Sequence, residues 1–529
     1  MPITPLENWI KRKIGLQETE RLTRQALSQY QLRRIQETLA FARSHSPFYR
    51  TLLGPLPHQP VESLDDLASL PFTTADELCD QSLQLLCVSQ SDVARVVTLQ
   101  TWEARPKRLY FTDKDLELTI DFFHHGMSGI VHPGQRVLIL MPGERPGSVG
   151  DLLVRALARM NVEGIVHGLV QDAARTIEEI LEKRVDCLVG IPVQVLSLAR
   201  HREGARIPAG LIKSVLLSAD YVAQAIVDEV AQVWGCQVFE HYGMTEMGLG
   251  GGVQCSVHEG YHFREADFFF EIIDPETGQP VTEGGTGEVV FTTLTRKGMP
   301  LIRYRTGDMA RFIPKPCPCG TMLKRLDRIR GRLRGSVTLE KGYELSVSDL
   351  DDVLFRVPGL LDYQAEIYRR KGKDRVRVKV HLAVDDSNRV SKEVHDALSR
   401  APIIERCLEE EVLGLDPVAS EGGTWTSSGT SRSSTSLLPG AFISVPTFRG
   451  SAQLAAFSTI SWSLRTLIRR SSGSDRFQLR SGMMLSAATP WLINTSSSSS
   501  MSCSPWPPQA SSRSLPGAVG SGPPRRSSG

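Results

Sequence analysis

Past residue 392 this 529-residue sequence contains no lysine, and past 420 it has only two acidic side chains, Glu421 and Asp475, against ten arginines. The same stretch, 420–529, holds 30 serines, five of them consecutive at 496–500. Such a composition offers little continuous apolar surface to bury, which excludes a packed domain and predicts a disordered tail. Serine, arginine and proline without lysine is also what out-of-frame translation of a G+C-rich gene gives, so both origins stay open for 416–529. No apolar run approaches the roughly 18–20 residues of a membrane span. The N-terminal MPITPLENWIKRK meets an acid at Glu7 and lacks the apolar core of a secretory leader. Nine cysteines in so long a chain without a leader exclude a disulfide framework and predict reduced thiols in the cytoplasm. With 61 basic and 59 acidic side chains the net charge is only +2, which excludes a polyanionic partner such as nucleic acid.

What is present is ordered. Leu32, Ile35, Leu39 and Ala42 repeat at helical spacing within 18–43. From about 135, short apolar runs (137–140, 162–170, 185–191, 215–217) alternate with helical stretches (172–183, 194–202, 221–234). That alternation predicts βαβ units and a parallel sheet covered by helices on both faces. The segment ADFFFEIIDPETGQPVTEGGTGEVVFTTL predicts two antiparallel strands joined by a turn-rich loop. VSDLDDVLFRV reads as a helix and VRVKVHLAV as a strand, which makes 333–415 a small α+β domain. The expected class is therefore α/β. It comprises a large domain over 1–332 with mixed and parallel sheets plus a β-rich subdomain, then the small domain at 333–415, then the tail.

Four segments carry chemistry: LLSAD (216–220), EHYGMTEMG (240–248), LIRYRTGD (301–308) and IRGR (329–332). Each is weak alone. In this order and spacing, with PFYR (47–50) and LPFTTADEL (70–78), they resemble the adenylate-forming, AMP-binding ligases, specifically the phenylacetate–CoA ligase branch, over about 20–412. The resemblance implies that a small carboxylic acid attacks the α-phosphorus of ATP, releasing pyrophosphate, and that CoA thiol then displaces AMP from the acyl adenylate. It implies Glu246 as the carboxylate for Mg²⁺, Thr245 as the α-phosphate contact and Lys107 as the phosphate-loop lysine. It implies Tyr242 and Gly243 against adenine, with Ser218, Ala219 and Asp220 as the opposite wall. Asp308 would take the ribose hydroxyls, and Arg332 the ribose and phosphate.

Two thiols on one tight turn, CPCG (317–320), face a second cluster in QCSVHEGYH, which supplies Cys255, His258 and His262. Two cysteines plus a Cys/His pair is the ligand chemistry of tetrahedral zinc. The pairing seen in relatives of this branch implies Cys255, His262, Cys317 and Cys319, with His262 favoured over His258. The adjacent His124 and His125 are expected to be a structural pair.

Three departures from the branch stand out. VTLQTWEARPKRLYFT keeps Pro106-Lys107 but replaces a Ser/Thr/Gly phosphate loop with Trp102-Glu103-Ala104-Arg105, and no glycine occurs between Gly54 and Gly126. Backbone N–H groups cradle phosphate at close approach, which glycine permits and tryptophan obstructs. Leu333-Arg334-Gly335 follow Arg332 where the relatives carry a hinge acid. The relatives' C-terminal adenylation lysine has no counterpart after Lys392. These departures predict slow adenylation, and they leave a non-catalytic nucleotide- or acyl-binding relative as the alternative.

Overall fold

The computed structural model describes residues 3–480 except 18, 55–60, 101–104, 334, 371, 384–386 and 422–475. The replaced phosphate loop (101–104) and Arg334 thus lie outside the described residues, as does most of the expected tail.

Five strands form the parallel sheet: β1 (Arg136–Ile139), β2 (Glu163–Val166), β3 (Cys187–Gly190), β4 (Ser214–Leu217) and β5 (Gln237–Tyr242). Their spatial order is β2-β1-β3-β4-β5, and antiparallel strands 252–253, 261–263 and 325–326 continue the sheet beyond β5. The order reverses at β1, so the carboxyl ends of β1 and β3 border the crevice where such sheets bind ligands. Helices α1 (Asp113–Met127), α2 (Val149–Ala158), α3 (Ala173–Glu182), α4 (Pro192–Arg200) and α5 (Gln224–Trp234) alternate with these strands, as the periodicity predicts.

Strand alternation assigns the two faces. Val137, Ile139, Val189 and Phe239 share one cluster with Phe122, Ile120, Leu152 and Ala156 of α1 and α2. Leu138, Leu188, Val215 and Val238 share the other with Ile177, Val195, Ile226 and Trp234 of α3, α4 and α5. Successive side chains point to opposite faces, so four-residue runs that are apolar throughout demand cover on both.

Capping fixes the helix starts. Thr112 and Asp115 form a reciprocal capping box at α1. Asp115 also accepts from the backbone N–H groups of Lys297 (3.0 Å) and Gly298 (3.1 Å), tying the 295–299 loop to the helix. The expected antiparallel pair is formed by 268–273 and 287–293, joined by 304–310 and 331–332 into a four-stranded sheet. Pairing of Thr98 with Arg108 centres a hairpin, 95–100 with 106–111, whose second strand begins at Pro106 and brings in Lys107.

The expected α+β unit contains a helix at Val347–Leu354 and long strands at 360–370 and 373–382. It packs on the helices that cover one face of the parallel sheet: Leu350, Phe355, Ile367 and Val378 belong to the same cluster as Trp234 of α5. Arg200 of α4 donates to the carbonyls of Phe355 (2.8 Å) and Val357 (3.1 Å) while paired with Glu229. The sequence reading ends this unit at 415. In the structure 413–415 and 419–421 both pair in parallel with 373–382, and 476–480 pairs with 360–370. Backbone pairing thus extends past the expected boundary. Among the described residues no helix is long and apolar enough to cross a membrane.

Candidate functional site

Strand β5 delivers the first side chains. Glu240 accepts from Tyr261 Oη (3.1 Å) and from Arg328, while the Tyr242 hydroxyl donates to Asp308 Oδ2 at 2.9 Å. Residue 241, between them, points the opposite way: His241 Nδ1 lies 2.8 Å from Ser218 Oγ and its ring packs beside Phe122. After β5 the chain makes a single 3₁₀ turn over Thr245–Met247, ended by Gly248 at φ +66°. Gly243 is required there by the protein itself. A Cβ would lie 2.9 Å from both Leu249 O and the Gly250 Cα. The room expected for nucleotide at Gly243 is therefore occupied by the chain's own loop, although Gly243 still lines the cleft.

The turn buries Glu246, which is 3% exposed. One of its carboxylate oxygens accepts from both Lys107 Nζ and the Tyr304 hydroxyl, the latter at 3.1 Å. Burial disfavours the charge, but the Lys107 ammonium outweighs it and holds the carboxyl below its usual range. Thr245 Oγ1 is buried with no hydrogen-bond partner among the described residues. An unmet buried hydroxyl is the kind of group that a ligand oxygen satisfies.

The strand pairing Asp308↔Arg332 places the two remaining expected residues side by side. Arg332 Nε donates to Asp308 Oδ1 at 2.6 Å, and this carboxylate raises the guanidinium pKa. Both Asp308 oxygens are thus engaged, so accepting ribose hydroxyls requires exchange of one partner or use of a second lone pair. Arg105, beside the undescribed loop, pairs with Asp76 and Asp80 at 2.7 and 3.0 Å.

Two adjoining clefts result. The first, about 1110 Å³ of empty space including its solvent-open part, is lined by the apolar Phe122, Phe123, Met127 and Leu216 and by the polar Lys107, Thr245, Glu246 and Arg332. The second, about 860 Å³, is lined by Asp220, Tyr221, Tyr242, Asp308 and Arg332. Ala219, His241, Gly243 and Arg332 border both. Of the expected adenine wall, Asp220 lines the second cleft, Ala219 both, and Ser218 only the first. Ala219, which borders both clefts, sits at φ +73°, a costly conformation for alanine. His241 and Tyr304 carry no role among the residues expected from the sequence. Their only sequence signal was position, one inside EHYGMTE and one inside LIRYRTGD.

His241 is held to a pKa of about 4 by burial and by the charge of Arg264. An unfolded histidine takes its proton near pH 6.5. Between about 6.5 and 4 the unfolded chain therefore binds the extra proton, so this stabilisation is complete above 6.5 and disappears as pH falls through 4. Urea midpoints should drop across that window, and His241→Leu should flatten the drop. An unchanged pH slope in that variant would contradict the assignment.

A second constellation lies apart from the clefts. Cys255, His262, Cys317 and Cys319 are buried, and their ligand atoms all lie within 4.8 Å of one another. Cys255 Sγ is 3.7 Å from Cys317 Sγ, and Cys319 Sγ is 3.7 Å from His262 Nε2. Burial pushes the Cys255 thiol up to about 12. Burial acts on Cys319 too, but hydrogen bonds from His262 and the backbone N–H of Thr321 bring it down to about 6. Three sulfurs and one imidazole at this spacing match the donor set of a tetrahedral zinc. His258 takes no part; it sits at φ +57° with its ring 4.5 Å from Phe239. His124 and His125 pack against each other and, through His125, on Trp9, as a structural pair would.

Residues 162–294 match the family model for AMP-binding enzymes. The chain is 27% identical over 386 residues to a phenylacetate–coenzyme A ligase of Thermus thermophilus, covering 71% of this chain and 86% of that one. It is 26% identical over 369 residues to that of Escherichia coli, covering 67% and 82%. Among solved structures, it matches a 2-hydroxyisobutyryl-CoA ligase in the postadenylation state with TM-score 0.65 and 20% identity, covering 76% and 86% of the two chains. An open conformation of that ligase matches with TM-score 0.56 and 20% identity, covering 78% and 92%. With the same segments now assembled around two clefts, the chain carries an AMP-binding-enzyme match over 162–294 and is similar over about two thirds of its length to phenylacetate–coenzyme A ligases.

Proposed function

We propose that the protein is an acid–CoA ligase that activates an apolar carboxylic acid with ATP and passes the acyl group to CoA. The observation that carries this reading is the convergence of Lys107, Thr245 and Glu246 at the mouth of an apolar chamber that adjoins a cleft holding Tyr242 and Asp308. The acid's body would fill the chamber, with its carboxylate toward Thr245 and Lys107. One carboxylate oxygen forms a bond to the α-phosphorus as the bond to pyrophosphate breaks. The CoA sulfur then attacks the acyl carbonyl and AMP leaves.

Thr245 Oγ1 would donate to the α-phosphate, satisfying its unmet bond, and Lys107 would move from Glu246 toward the triphosphate. Glu246, freed of the ammonium, would hold Mg²⁺, whose charge neutralises phosphate oxygens. Tyr242, Ala219 and Asp220 would enclose adenine, and Asp308 with Arg332 the ribose. Cys255, His262, Cys317 and Cys319 would hold a structural zinc, because all four positions come from the protein. We take 1–332 as the adenylation domain and 333–415 as the small domain, and place the enzyme in the cytoplasm, where ATP and CoA are supplied and thiols stay reduced.

The test is acid-dependent ATP–pyrophosphate exchange over a panel of aryl and alkyl acids, followed by CoA thioester formation. No exchange with any acid, together with no binding of an acyl-sulfamoyl adenosine, would refute the ligase. The replaced loop and the absence of lysine after 392 favour slow exchange. A version with a Ser/Thr/Gly loop and a C-terminal lysine restored should be faster, and equal rates would show these departures to be harmless. Asp308→Asn should weaken nucleotide binding by about tenfold, the worth of one hydrogen bond to a charged group. It should leave the zinc content unchanged, and an unaltered AMP affinity would remove Asp308 from the ribose.

A further inference from the structure

Among the polar groups lining the apolar chamber, the pair Ser218 and His241 is not used by the adenylation chemistry proposed above. Ser218 lines the chamber, and its Oγ is 2.8 Å from His241 Nδ1. The far nitrogen, His241 Nε2, is buried with no partner. Two glycines let the backbone close against that edge: a Cβ at Gly250 would stand 3.2 Å from Nε2, and one at Gly243 would stand 2.8 Å from Cε1. None of the described residues supplies an acceptor there.

A neutral imidazole carries a single N–H. Placed on Nε2, it would be a buried donor without an acceptor, an arrangement rarer in folded proteins than an unmet acceptor. Placed on Nδ1, it is bonded to Ser218 Oγ. The ring, neutral above about pH 4, therefore donates to Ser218. The serine oxygen accepts that bond, and its own hydroxyl proton is left to point elsewhere. The cleft that Ser218 lines also holds the side chains of Phe122, Val189 and Leu216, which offer no acceptor.

We propose that Ser218, oriented by His241, is a specificity-determining hydrogen-bond donor that recognises an oxygen substituent on an otherwise apolar carboxylic acid. The location narrows this further. His241 borders both clefts, so the pair sits beside the junction where carboxylate meets α-phosphate. The recognised oxygen, a hydroxyl or keto group, lies within one or two carbons of the carboxyl. The distal body of the acid remains hydrocarbon. The inference rests on the ligase reading and adds the substrate class to it.

Calorimetric titration of the full chain with stable acyl-sulfamoyl adenosines tests this without requiring turnover. The matched pair is the 3-phenylpropanoyl compound and its 2-hydroxy derivative. The hydroxylated compound should bind about tenfold tighter, the worth of a single good hydrogen bond. Ser218→Ala should erase that difference by weakening only the hydroxylated ligand. Ser218→Thr, which keeps the hydroxyl, should restore it, and His241→Leu should reduce it by releasing the serine rotor. Unchanged affinity for the unsubstituted compound would certify the fold of each variant. Equal affinities in the parent chain would overturn the proposal. So would an equal loss for both ligands in Ser218→Ala, which would place the hydroxyl on the carboxyl group or in the scaffold. Binding of neither compound would instead overturn the ligase reading on which the proposal stands.

Discussion

Glu246→Gln should lower ATP–pyrophosphate exchange by about a hundred- to a thousand-fold, the size expected when one preorganised charged group is removed from a transition state. The amide keeps the shape of the side chain and its contact with Tyr304, so the turn at 245–247 should persist. What disappears is the charge, with two consequences. The Lys107 ammonium loses its counterion in a site where Glu246 is 3% exposed, and breaking a buried pair from one side is costly. The carboxylate that we assign to Mg²⁺ is also lost. The ion pair makes a sharper claim besides. While Lys107 occupies Glu246, a divalent ion competes with an ammonium already in place, so metal should bind weakly until a triphosphate draws the lysine away. Electron paramagnetic resonance of added Mn²⁺ should therefore show little bound ion without ATP, much more with it, and early binding in Lys107→Met. Tight Mn²⁺ binding to the ATP-free parent chain would defeat this view of the pair, and near-normal exchange in Glu246→Gln would remove Glu246 from the chemistry.

Cys317→Ser should abolish stoichiometric zinc and lower thermal stability by the binding free energy of the metal. For free zinc a thousand-fold above its dissociation constant, that is about 4 kcal/mol. The site joins the 317–320 turn to the 254–263 segment, which lies at the far edge of the main sheet. The effect should thus be a lower melting temperature without loss of the clefts. Without metal, the buried thiols at 255 and 317 resist ionisation while Cys319 ionises near pH 6, so zinc binding must expel protons from the first two. Proton release on titrating the metal-stripped protein with zinc should accordingly accompany binding. Purified protein containing no zinc, and melting identically in the variant, would show four reduced side chains that merely pack together.

The alternation of apolar runs and helices was legible in the sequence because it is local. A run such as Val137–Leu140 is apolar on both faces, which only a strand covered on both sides tolerates. The motif segments were equally legible, since each holds its residues on one turn or strand. Past 415 the sequence reading fell short at 419–421 and 476–480, where no local period marks strands that the sheet recruits by pairing alone. What connects distant segments was decided only by the tertiary structure. Lys107 meets Glu246 across 139 residues, and no spacing rule relates them. His262 rather than His258 joins the three cysteines because the ladder pairs it with Val253 and Arg325, while His258 turns toward Phe239. Ser218 reaches His241 because β4 and β5 run parallel with Leu216 opposite Phe239 and Leu217 opposite Glu240, which carries the next residues together at the strand ends. Side-chain alternation is fixed by the chain itself, but register between strands is set by the burial of both faces at once. The segments that converge on the candidate site could therefore be read from the sequence, whereas the parts of His241 and Tyr304 in it, and its contacts, could not.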